Sequence, residues 1–186
     1  QGNSWGVELL LKKSTGRLNG WVGYTYADTK YFTEPSGWHH PNFDRTHTIN
    51  IVGNIELTEE LEISTALTQS SGNPYTKILG RVYDWEQNLY QDTYWYPLDS
   101  YIVGEKNTER YDDYFRIDVG MTRKGGNLFG LQYDTYWQVM NVTKHLNAFS
   151  YAYRTKTGMN GDQLGVERRV VPQFPLIFTF GVKFDF

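Results

Sequence analysis

Apolar and polar side chains alternate strictly along residues 176–186, the last stretch of the chain. Side chains on a β-strand point to opposite faces with a period of two, so this pattern predicts an extended strand. The two faces of that strand differ in chemistry. One face carries Phe178, Phe180, Val182, Phe184 and Phe186, and the other carries Thr179, Gly181, Lys183 and Asp185.

The same alternation recurs in six earlier segments, which are separated by turn-forming or irregular sequence. The segments are residues 2–13, 17–30, 44–57, 61–68, 115–122 and 129–139. No helical period and no internal repeat interrupts the series. The sequence therefore predicts an all-β fold in which residues 1–186 form seven antiparallel strands of one domain.

The connections between these segments are short and long in turn. Short turns are expected at residues 14–16, 58–60 and 124–127; long connections are expected at residues 31–42, 70–113 and 141–174, the last with a short extended piece at 149–154. Outer-membrane barrels have short periplasmic turns, longer extracellular loops and strands of about ten residues. A soluble β-sandwich would also alternate, but its strands are usually about five or six residues long. We therefore expect a transmembrane antiparallel β-barrel.

One face of such a wall contacts lipid and the other contacts a water-filled lumen. The acidic residues of the strands, for example Glu8, Glu56 and Asp118, fall on the side opposite to the apolar residues. The apolar side is therefore expected to face lipid. The residues predicted to do so are Val7, Leu9, Val22, Ile49, Ile51, Ile63, Val119, Leu131, Val182 and Phe184.

Composition narrows the possible functions. The 18 Lys and Arg residues against 21 Asp and Glu give a net charge of −3, which provides no basic field to attract nucleic acid. The chain has no cysteine, which excludes disulfides, thiolate metal sites and cysteine nucleophiles. It also has no run of about 18 apolar residues, so strands rather than a helix would have to cross any membrane.

The best candidate for a metal cluster is the set His39, His40, Asp44 and His47, because histidines near a carboxylate can bind a divalent ion. The predicted strand register places Asp44 and His47 on opposite faces, so we expect neither a metal site nor a cofactor. Gly-rich phosphate loops and nucleophile elbows are missing from the sequence. We therefore do not expect an enzyme.

Aromatic side chains crowd the long connection at residues 70–113. The candidate ligand-binding residues in it are Trp85, Tyr90, Tyr94, Trp95 and Tyr96. Such rings can stack on a sugar, a peptide or a chelate ring. They can equally form the aromatic girdle at the outer membrane interface or pack the loop on itself. Both interpretations stay open from the sequence.

An ordered series of stretches resembles the strands near the end of TonB-dependent outer-membrane receptors, in particular the Bacteroidota type with a carboxypeptidase-regulatory-like amino-terminal domain. The first two stretches are GVELLL at residues 6–11 and GRLNGWVGYTYA at 16–27. The others are FDRTHTINI at 43–51, SGNPYT at 71–76, RIDVG at 116–120, QVMNVT at 138–143 and PQFPL at 172–176. Each stretch alone is a weak signal, but together they cover essentially the whole chain.

The resemblance implies the carboxy-terminal part of a barrel of about 22 strands, whose lumen is closed by a plug domain that this chain lacks. It further implies ligand-gated, TonB-dependent uptake of a small-molecule, glycan or peptide nutrient across the outer membrane of a Gram-negative bacterium. The expected partners are the rest of the barrel and the plug, TonB acting through the plug, and outer-membrane lipid. The alternative is a small non-transporting outer-membrane barrel or an adhesion or structural module.

Two further expectations concern the edges of the wall. Phe184 and Phe186 resemble the terminal aromatic signal that the barrel-assembly machinery recognises in this family. Seven strands cannot close a wall of the family's size, and unpaired backbone groups in lipid cost several kcal/mol each. We therefore expect residues 2–13 and 176–186 to pair with strands that lie outside residues 1–186.

Overall fold

The computed structural model describes residues 1–83, 99–157 and 163–185, and these residues form strands, turns and irregular segments without a helix. Seven strands, numbered here in chain order, form the main sheet: β1 (Gly2–Lys13), β2 (Leu18–Thr33), β4 (His47–Glu56), β5 (Leu61–Ser70), β10 (Tyr114–Leu128), β11 (Leu131–Met140) and β14 (Ile177–Asp185). The remaining strands are β3 (Gly37–His39), β6 (Pro74–Tyr75), β7 (Ile78–Tyr83), β8 (Asp99–Val103), β9 (Glu109–Arg110), β12 (Ala148–Thr157) and β13 (Gln163–Pro172).

The main sheet is an antiparallel meander with the order β1-β2-β4-β5-β10-β11-β14, and the short strand β3 is added next to β2. Its seven principal strands are the seven that alternation predicts, with ends that differ by a few residues. The prediction of an all-β fold with antiparallel strands is therefore confirmed. No helix in the described ranges is long and apolar enough to cross a membrane.

Cross-strand register gathers the apolar residues on one face of the main sheet, which we call the apolar face. One row of paired residues runs across five strands as Leu11, Val22, Ile51, Leu67 and Ile117. A one-residue slip in any strand would send its apolar side chains to the other side, so the shared register keeps the face continuous. All ten residues that were predicted to face lipid lie on this face.

The opposite face, which we call the polar face, is held together by hydrogen bonds between side chains. The hydroxyl group of Thr68 donates to the side-chain oxygen of Asn50 on the neighbouring strand, at 3.0 Å. Arg116 donates two bonds to the carboxylate of Asp118, at 2.8 and 2.6 Å. Burying polar and charged side chains without hydrogen-bond partners costs free energy. These side chains are therefore suited to a face that contacts water.

The apolar face is not covered by any other part of the described chain. Leu9 and Phe178, near opposite edges of the sheet, are 63% and 60% exposed. Among the described residues, the buried apolar side chains are Pro41, Pro74, Tyr75 and Tyr151, and all four lie in the long connections rather than against the sheet. The sheet therefore has two chemically different faces and no hydrophobic core on either one.

The turn between β10 and β11 differs from the sequence prediction. Residues 124–127 do not form it; β10 continues to Leu128 with a bulge between Arg123 and Gly126. The chain reverses at Phe129 and Gly130, whose φ angles of 53° and 89° suit a two-residue hairpin turn. The backbone N–H of Gly130 donates to the side-chain oxygen of Asn127 at 3.0 Å. Phe129, predicted to begin a strand, is instead 98% exposed in the turn.

The long connections contain more regular structure than predicted. Residues 70–113 were expected to be irregular, yet β6 pairs with β9 and β7 with β8. The short extended piece expected at residues 149–154 is part of β12, which forms a ladder with β13. The sequence of β13 places Arg168 and Arg169 beside Val170 and Val171, so it lacks the period of two that reveals a strand.

The sheet is open. β1 and β14 stand at the two ends of the strand order, and each pairs on one side only within the described residues. The seven strands thus form an open antiparallel sheet rather than a closed barrel in this structure.

Candidate ligand-binding site

The three long connections leave the sheet at the same end, because every strand of the meander is antiparallel to its neighbours. We call their described parts, residues 34–46, 71–83, 99–113, 141–157 and 163–176, the loop layer. The buried side chains of the described chain concentrate there, and most of them are polar. They are His39, Asp44, Asn107, Asn141 and Asn147, with Pro41, Pro74, Tyr75 and Tyr151.

A buried carboxylate joins the first connection to the second. Asp44 is 3% exposed and accepts a hydrogen bond from the backbone N–H of Thr29 at 3.1 Å. Arg110 donates to the same carboxylate from its guanidinium and also to the carbonyl oxygen of Gly72 at 3.0 Å. Nδ1 of His40 lies 3.4 Å from the carboxylate. The short segment before β4 is therefore fixed to a strand that follows it by 66 residues.

Asn107 provides a second link between the same two connections. Its backbone has a φ of 56°, a left-handed conformation that asparagine tolerates better than most residues. Its side-chain amide donates to the carbonyl oxygen of His40 and to the side-chain oxygen of Asn42, both at 2.6 Å. Its backbone N–H donates to the hydroxyl group of Thr76 at 3.1 Å. These bonds satisfy a buried amide that would otherwise oppose packing.

Three tyrosines join the second connection to the third. The ring centroids of Tyr75, Tyr111 and Tyr151 lie 4.6 to 5.1 Å apart in all three pairs. The guanidinium carbon of Arg168 lies 4.1 Å from the centroid of Tyr151, and Arg168 donates to the hydroxyl group of Tyr75 at 3.0 Å. Tyr151 in turn donates to the carboxylate of Asp112 at 3.2 Å. Aromatic and cation–π contacts of this kind stabilise the cluster in addition to the stabilisation that burial of the rings provides.

A cavity of about 550 Å³ opens beside this cluster. Its volume lies within the range of small-molecule sites, roughly 300–1,000 Å³. Tyr75, Tyr111, Phe149, Tyr151 and Tyr153 supply the aromatic part of the wall. The polar part comes from Asn42, Asn73, Thr76, Lys106 and Asn107. Aromatic walls with a few polar groups are the usual composition of a ligand site.

Two features of this wall matter chemically. The buried hydroxyl group of Tyr153 has no hydrogen-bond partner in the described structure, which is unusual for a buried polar group. Burial raises the pKa of Tyr111, Tyr151 and Tyr153 above the ordinary value for tyrosine. Tyrosine is neutral near pH 7 even at its ordinary pKa, so all three side chains are neutral there, and the hydroxyl group of Tyr151 donates to the carboxylate of Asp112.

Gly72 offers a direct test of how closely the loop layer is packed. A Cβ atom at this position would lie 1.7 Å from the carbonyl oxygen of Tyr111, so the backbone would have to move. We expect Gly72→Ala to destabilise the loop layer by on the order of 1–3 kcal/mol, measured as faster hydrogen exchange of residues 71–76 and 107–113 than of the main sheet. Gly80→Ala is the matched control, because its Cβ would meet Ile102 at an ordinary 3.6 Å. Equal effects of the two substitutions would contradict the close packing.

The residues that the sequence nominated for ligand binding, Trp85, Tyr90, Tyr94, Trp95 and Tyr96, lie outside the described residues, as does Phe186. Phe184 lies in β14 on the apolar face, with its ring centroid 6.0 Å from that of Tyr133. The cavity was not predicted from the sequence. Two sequence signals bear on it: Tyr75 and Tyr111 belong to the aromatic crowd of residues 70–113, and Phe149, Tyr151 and Tyr153 follow a period of two along β12.

The four residues considered for a metal cluster are not brought together. Nδ1 of His39 lies 3.0 Å from the carbonyl oxygen of Gly37. Nδ1 of His40 donates to the carbonyl oxygen of Thr29 at 2.9 Å, beside the paired Asp44. His47 lies on the apolar face, where Nδ1 is 2.9 Å from the hydroxyl group of Tyr24. His40 and Asp44 thus belong to the contact with Arg110, and His39 and His47 lie apart from it.

No protein-family model matches the chain, and neither a curated protein nor a solved structure is significantly similar to it. The fold and the cavity define its class: an all-β protein with one open, two-faced antiparallel sheet and a packed loop layer at one end.

Proposed function

We propose that residues 1–186 form part of the barrel wall and the extracellular loops of a TonB-dependent outer-membrane receptor that imports a nutrient. In this proposal the chain supplies seven carboxy-terminal strands of a transmembrane barrel of about 22 strands. The remaining wall and the plug come from polypeptide outside these residues. TonB acts through the plug, and the barrel-assembly machinery inserts the wall into the outer membrane.

The apolar face is the observation that carries the proposal. It extends over all seven strands of the main sheet and remains exposed in the described structure, for example at Leu9, Leu11, Phe178 and Phe180. Soluble monomers rarely expose contiguous apolar patches larger than a few hundred Å². Lipid covers such a face without any further protein layer. The polar face, with its Asn50–Thr68 and Arg116–Asp118 hydrogen bonds, suits a water-filled lumen.

The placement of the connections supports an orientation in the membrane. The short turns between β1 and β2, β4 and β5, and β10 and β11 lie at one end of the sheet, and the loop layer lies at the other. Outer-membrane barrels keep their short turns in the periplasm and their long loops outside the cell. The loop layer and its cavity would then face the exterior, where a nutrient first arrives.

The open edges support a wall that continues beyond this sheet. β1 and β14 each leave one side without a partner in the described structure. Open sheet edges do not occur in the hydrocarbon region, because each unpaired backbone group there costs several kcal/mol. In the membrane both edges therefore pair with further strands. Closure of the seven strands on themselves would instead support a small non-transporting barrel.

Cysteine scanning tests whether the apolar face contacts lipid, and the chain suits this method because it has no natural cysteine. Ile49 and Ile51 lie on the apolar face, and Asn50 lies on the polar face between them. We expect a dye attached at position 49 or 51 of the assembled receptor to be quenched by spin-labelled lipid acyl chains. A dye at position 50 should instead be quenched by a water-soluble agent added to the lumen.

Position 50 is the control for positions 49 and 51, because labels at these neighbouring positions lie at nearly the same depth in the membrane. Quenching that does not alternate along residues 49–51 would refute the lipid-facing assignment. The importer is tested separately by mass spectrometry of the particle purified from outer membranes, in which we expect a plug-bearing segment. A closed, heat-resistant barrel formed by residues 1–186 alone, with no plug in the particle, would overturn the proposal.

A further inference from the structure

The turn between β10 and β11 presents one aromatic side chain outward from the sheet. Phe129 is 98% exposed, and its backbone φ of 53° is a left-handed conformation that bulky residues rarely adopt. Asparagine or glycine would form a two-residue hairpin turn of this kind with less strain. The chain therefore places a phenyl ring here at a cost in backbone strain and in exposure, which indicates a contact beyond the described residues.

The hairpin that carries Phe129 is tied to the rest of the sheet. The backbone N–H of Lys124 donates to the carbonyl oxygen of Glu60, in the neighbouring turn, at 2.8 Å. The ring of Tyr133 covers Gly126 on the paired strand, since a Cβ atom at Gly126 would lie only 2.3 Å from that ring. The position of Phe129 is therefore set by the sheet rather than by a loose loop.

The three short turns at this end of the sheet differ in charge. Residues 12–17, around the β1–β2 turn, contain two lysines and an arginine, and residues 58–60, in the β4–β5 turn, contain two glutamates. Residues 125–133, around the β10–β11 turn, contain no charged residue. Charged turns suit water, whereas an uncharged tip with leucine and phenylalanine suits the boundary between headgroups and acyl chains of a membrane.

Leu128 and Leu131 extend the apolar face as far as this turn. They pair with each other across the hairpin and are 49% and 41% exposed. Leu131 lies on the same face of β11 as Tyr133, whose ring centroid is 6.0 Å from that of Phe184. The turn is therefore continuous with the surface that the proposed function places against lipid.

The length of β11 places the turn at a boundary of the membrane. A tilted strand crosses the hydrocarbon layer with about 9–11 residues. β11 has 10 residues, Leu131–Met140, so Phe129 lies at the inner boundary when Met140 lies at the outer one. Arg123 is on the apolar face of β10, and its long side chain can extend to phosphate groups at the same inner boundary.

We infer that the β10–β11 turn anchors the wall in the periplasmic leaflet of the outer membrane. The ring of Phe129 lies among the phospholipid headgroups, and Leu128 and Leu131 contact the acyl chains below them. The inference rests on the proposed function, because it needs a wall that crosses the membrane. It adds that one of the three short turns contacts lipid, whereas the other two extend into water.

Tryptophan fluorescence tests the anchor in the whole receptor, reconstituted into vesicles of phosphatidylethanolamine and phosphatidylglycerol. Phe129→Trp keeps an aromatic ring, and its emission is the difference from the parent receptor, since this chain already has six tryptophans. We expect lipids brominated near the headgroup to quench the added emission, and iodide on both sides of the membrane to leave most of it. Thr15→Trp, in the exposed β1–β2 turn at the same end, is the matched control and should show the reverse.

Three other outcomes would overturn the anchor. Equal quenching by iodide at positions 129 and 15 would place the turn in water. Protection of position 129 from both quenchers would show that protein, not lipid, covers the turn. Lipid quenching of the dyes at positions 49 and 51 without lipid quenching at 129 would retain the proposed wall and reject the anchor alone, whereas no lipid quenching at any of the three would reject the wall as well.

Discussion

If the apolar face contacts lipid as proposed, replacing Val119 by arginine should destabilise the assembled protein by about 2–4 kcal/mol, the cost of a charge on a lipid-facing strand near the bilayer midplane. Val119 lies on the apolar face of β10, between Thr65 of β5 and Val139 of β11. It is 38% exposed, so an arginine side chain has room in the fold, and in the proposed membrane setting the opposing term is lipid rather than packing. The measurement is the free energy of unfolding in urea for the receptor in lipid vesicles.

Thr122→Arg is the control for this prediction. Thr122 lies on the polar face of the same strand, paired with Tyr136 and with Glu62, whose carboxylate already accepts a hydrogen bond from Lys124 at 3.1 Å. We expect its cost to be well under that of Val119→Arg. Equal losses for the two substitutions would contradict either the lipid contact or the register that separates the faces. A large loss for Thr122→Arg alone would place lipid on the polar side.

The strands of the main sheet could be predicted because alternation is a local property of the sequence. The side chains of Ile49, Ile51 and Ile55 already reveal their shared face before any partner strand is known. The pairs β1–β2, β4–β5 and β10–β11 follow from short turns, which bring consecutive strands together with little loss of chain entropy, whereas β2–β4, β5–β10 and β11–β14 pair across the long connections. The register in the structure then places the apolar faces of the individual strands on the same side of the sheet.

The β10–β11 turn was mispredicted because the chain has two irregular points close together, a bulge at residues 124–125 and the turn itself at residues 129–130. Gly125 has a φ of 81° and lies at the bulge, where glycine's conformational freedom serves an irregularity in the ladder. Phe129 adopts φ 53° in the turn, although its side chain gives no local preference for that conformation. Only the pairing of Leu128 with Leu131 places the turn at residues 129–130.

The loop layer could not be predicted for the opposite reason. Its contacts join residues that are far apart in sequence, such as Arg168 and Tyr75, which are separated by 93 positions. A periodic pattern carries no information about such pairs, and arginine or tyrosine in a loop has many possible partners. The cavity depends on these contacts, so the sequence alone could nominate aromatic residues but could not assemble them into a site.

The composition of the loop layer also explains how it can be ordered without a large hydrophobic core. Its buried groups are mainly asparagines, an aspartate and tyrosines that bond to one another and to the backbone. When every polar group in such a network has a hydrogen-bond partner, the network specifies a single arrangement. Removing one polar group leaves another buried group without its partner. The loop layer should therefore be more sensitive to the removal of single polar groups than the sheet.

Replacing Asp44 by alanine should accordingly destabilise the loop layer by about 2–3 kcal/mol, toward the low end of the cost of breaking a buried ion pair because Arg110 is partly exposed. The substitution removes the acceptor for the guanidinium of Arg110 and for the backbone N–H of Thr29. Asp44→Asn keeps an acceptor for Thr29 but not the charge, so it should cost less. The measurement is native-state hydrogen exchange, in which the loop layer should open at a lower free energy while the main sheet stays protected.

Glu109→Gln provides the matched control, since Glu109 also carries a carboxylate in the loop layer but is half exposed and lies 3.8 Å from Lys77. Exposed ion pairs contribute about 0–1 kcal/mol, so this variant should exchange almost as the parent protein does. If Asp44→Ala and Glu109→Gln opened the loop layer equally, the buried carboxylate would not be what joins the first connection to the second. If Asp44→Ala also released the central strands β4 and β5, the loop layer and the main sheet would unfold as one unit, and the cavity would depend on the main sheet for its stability.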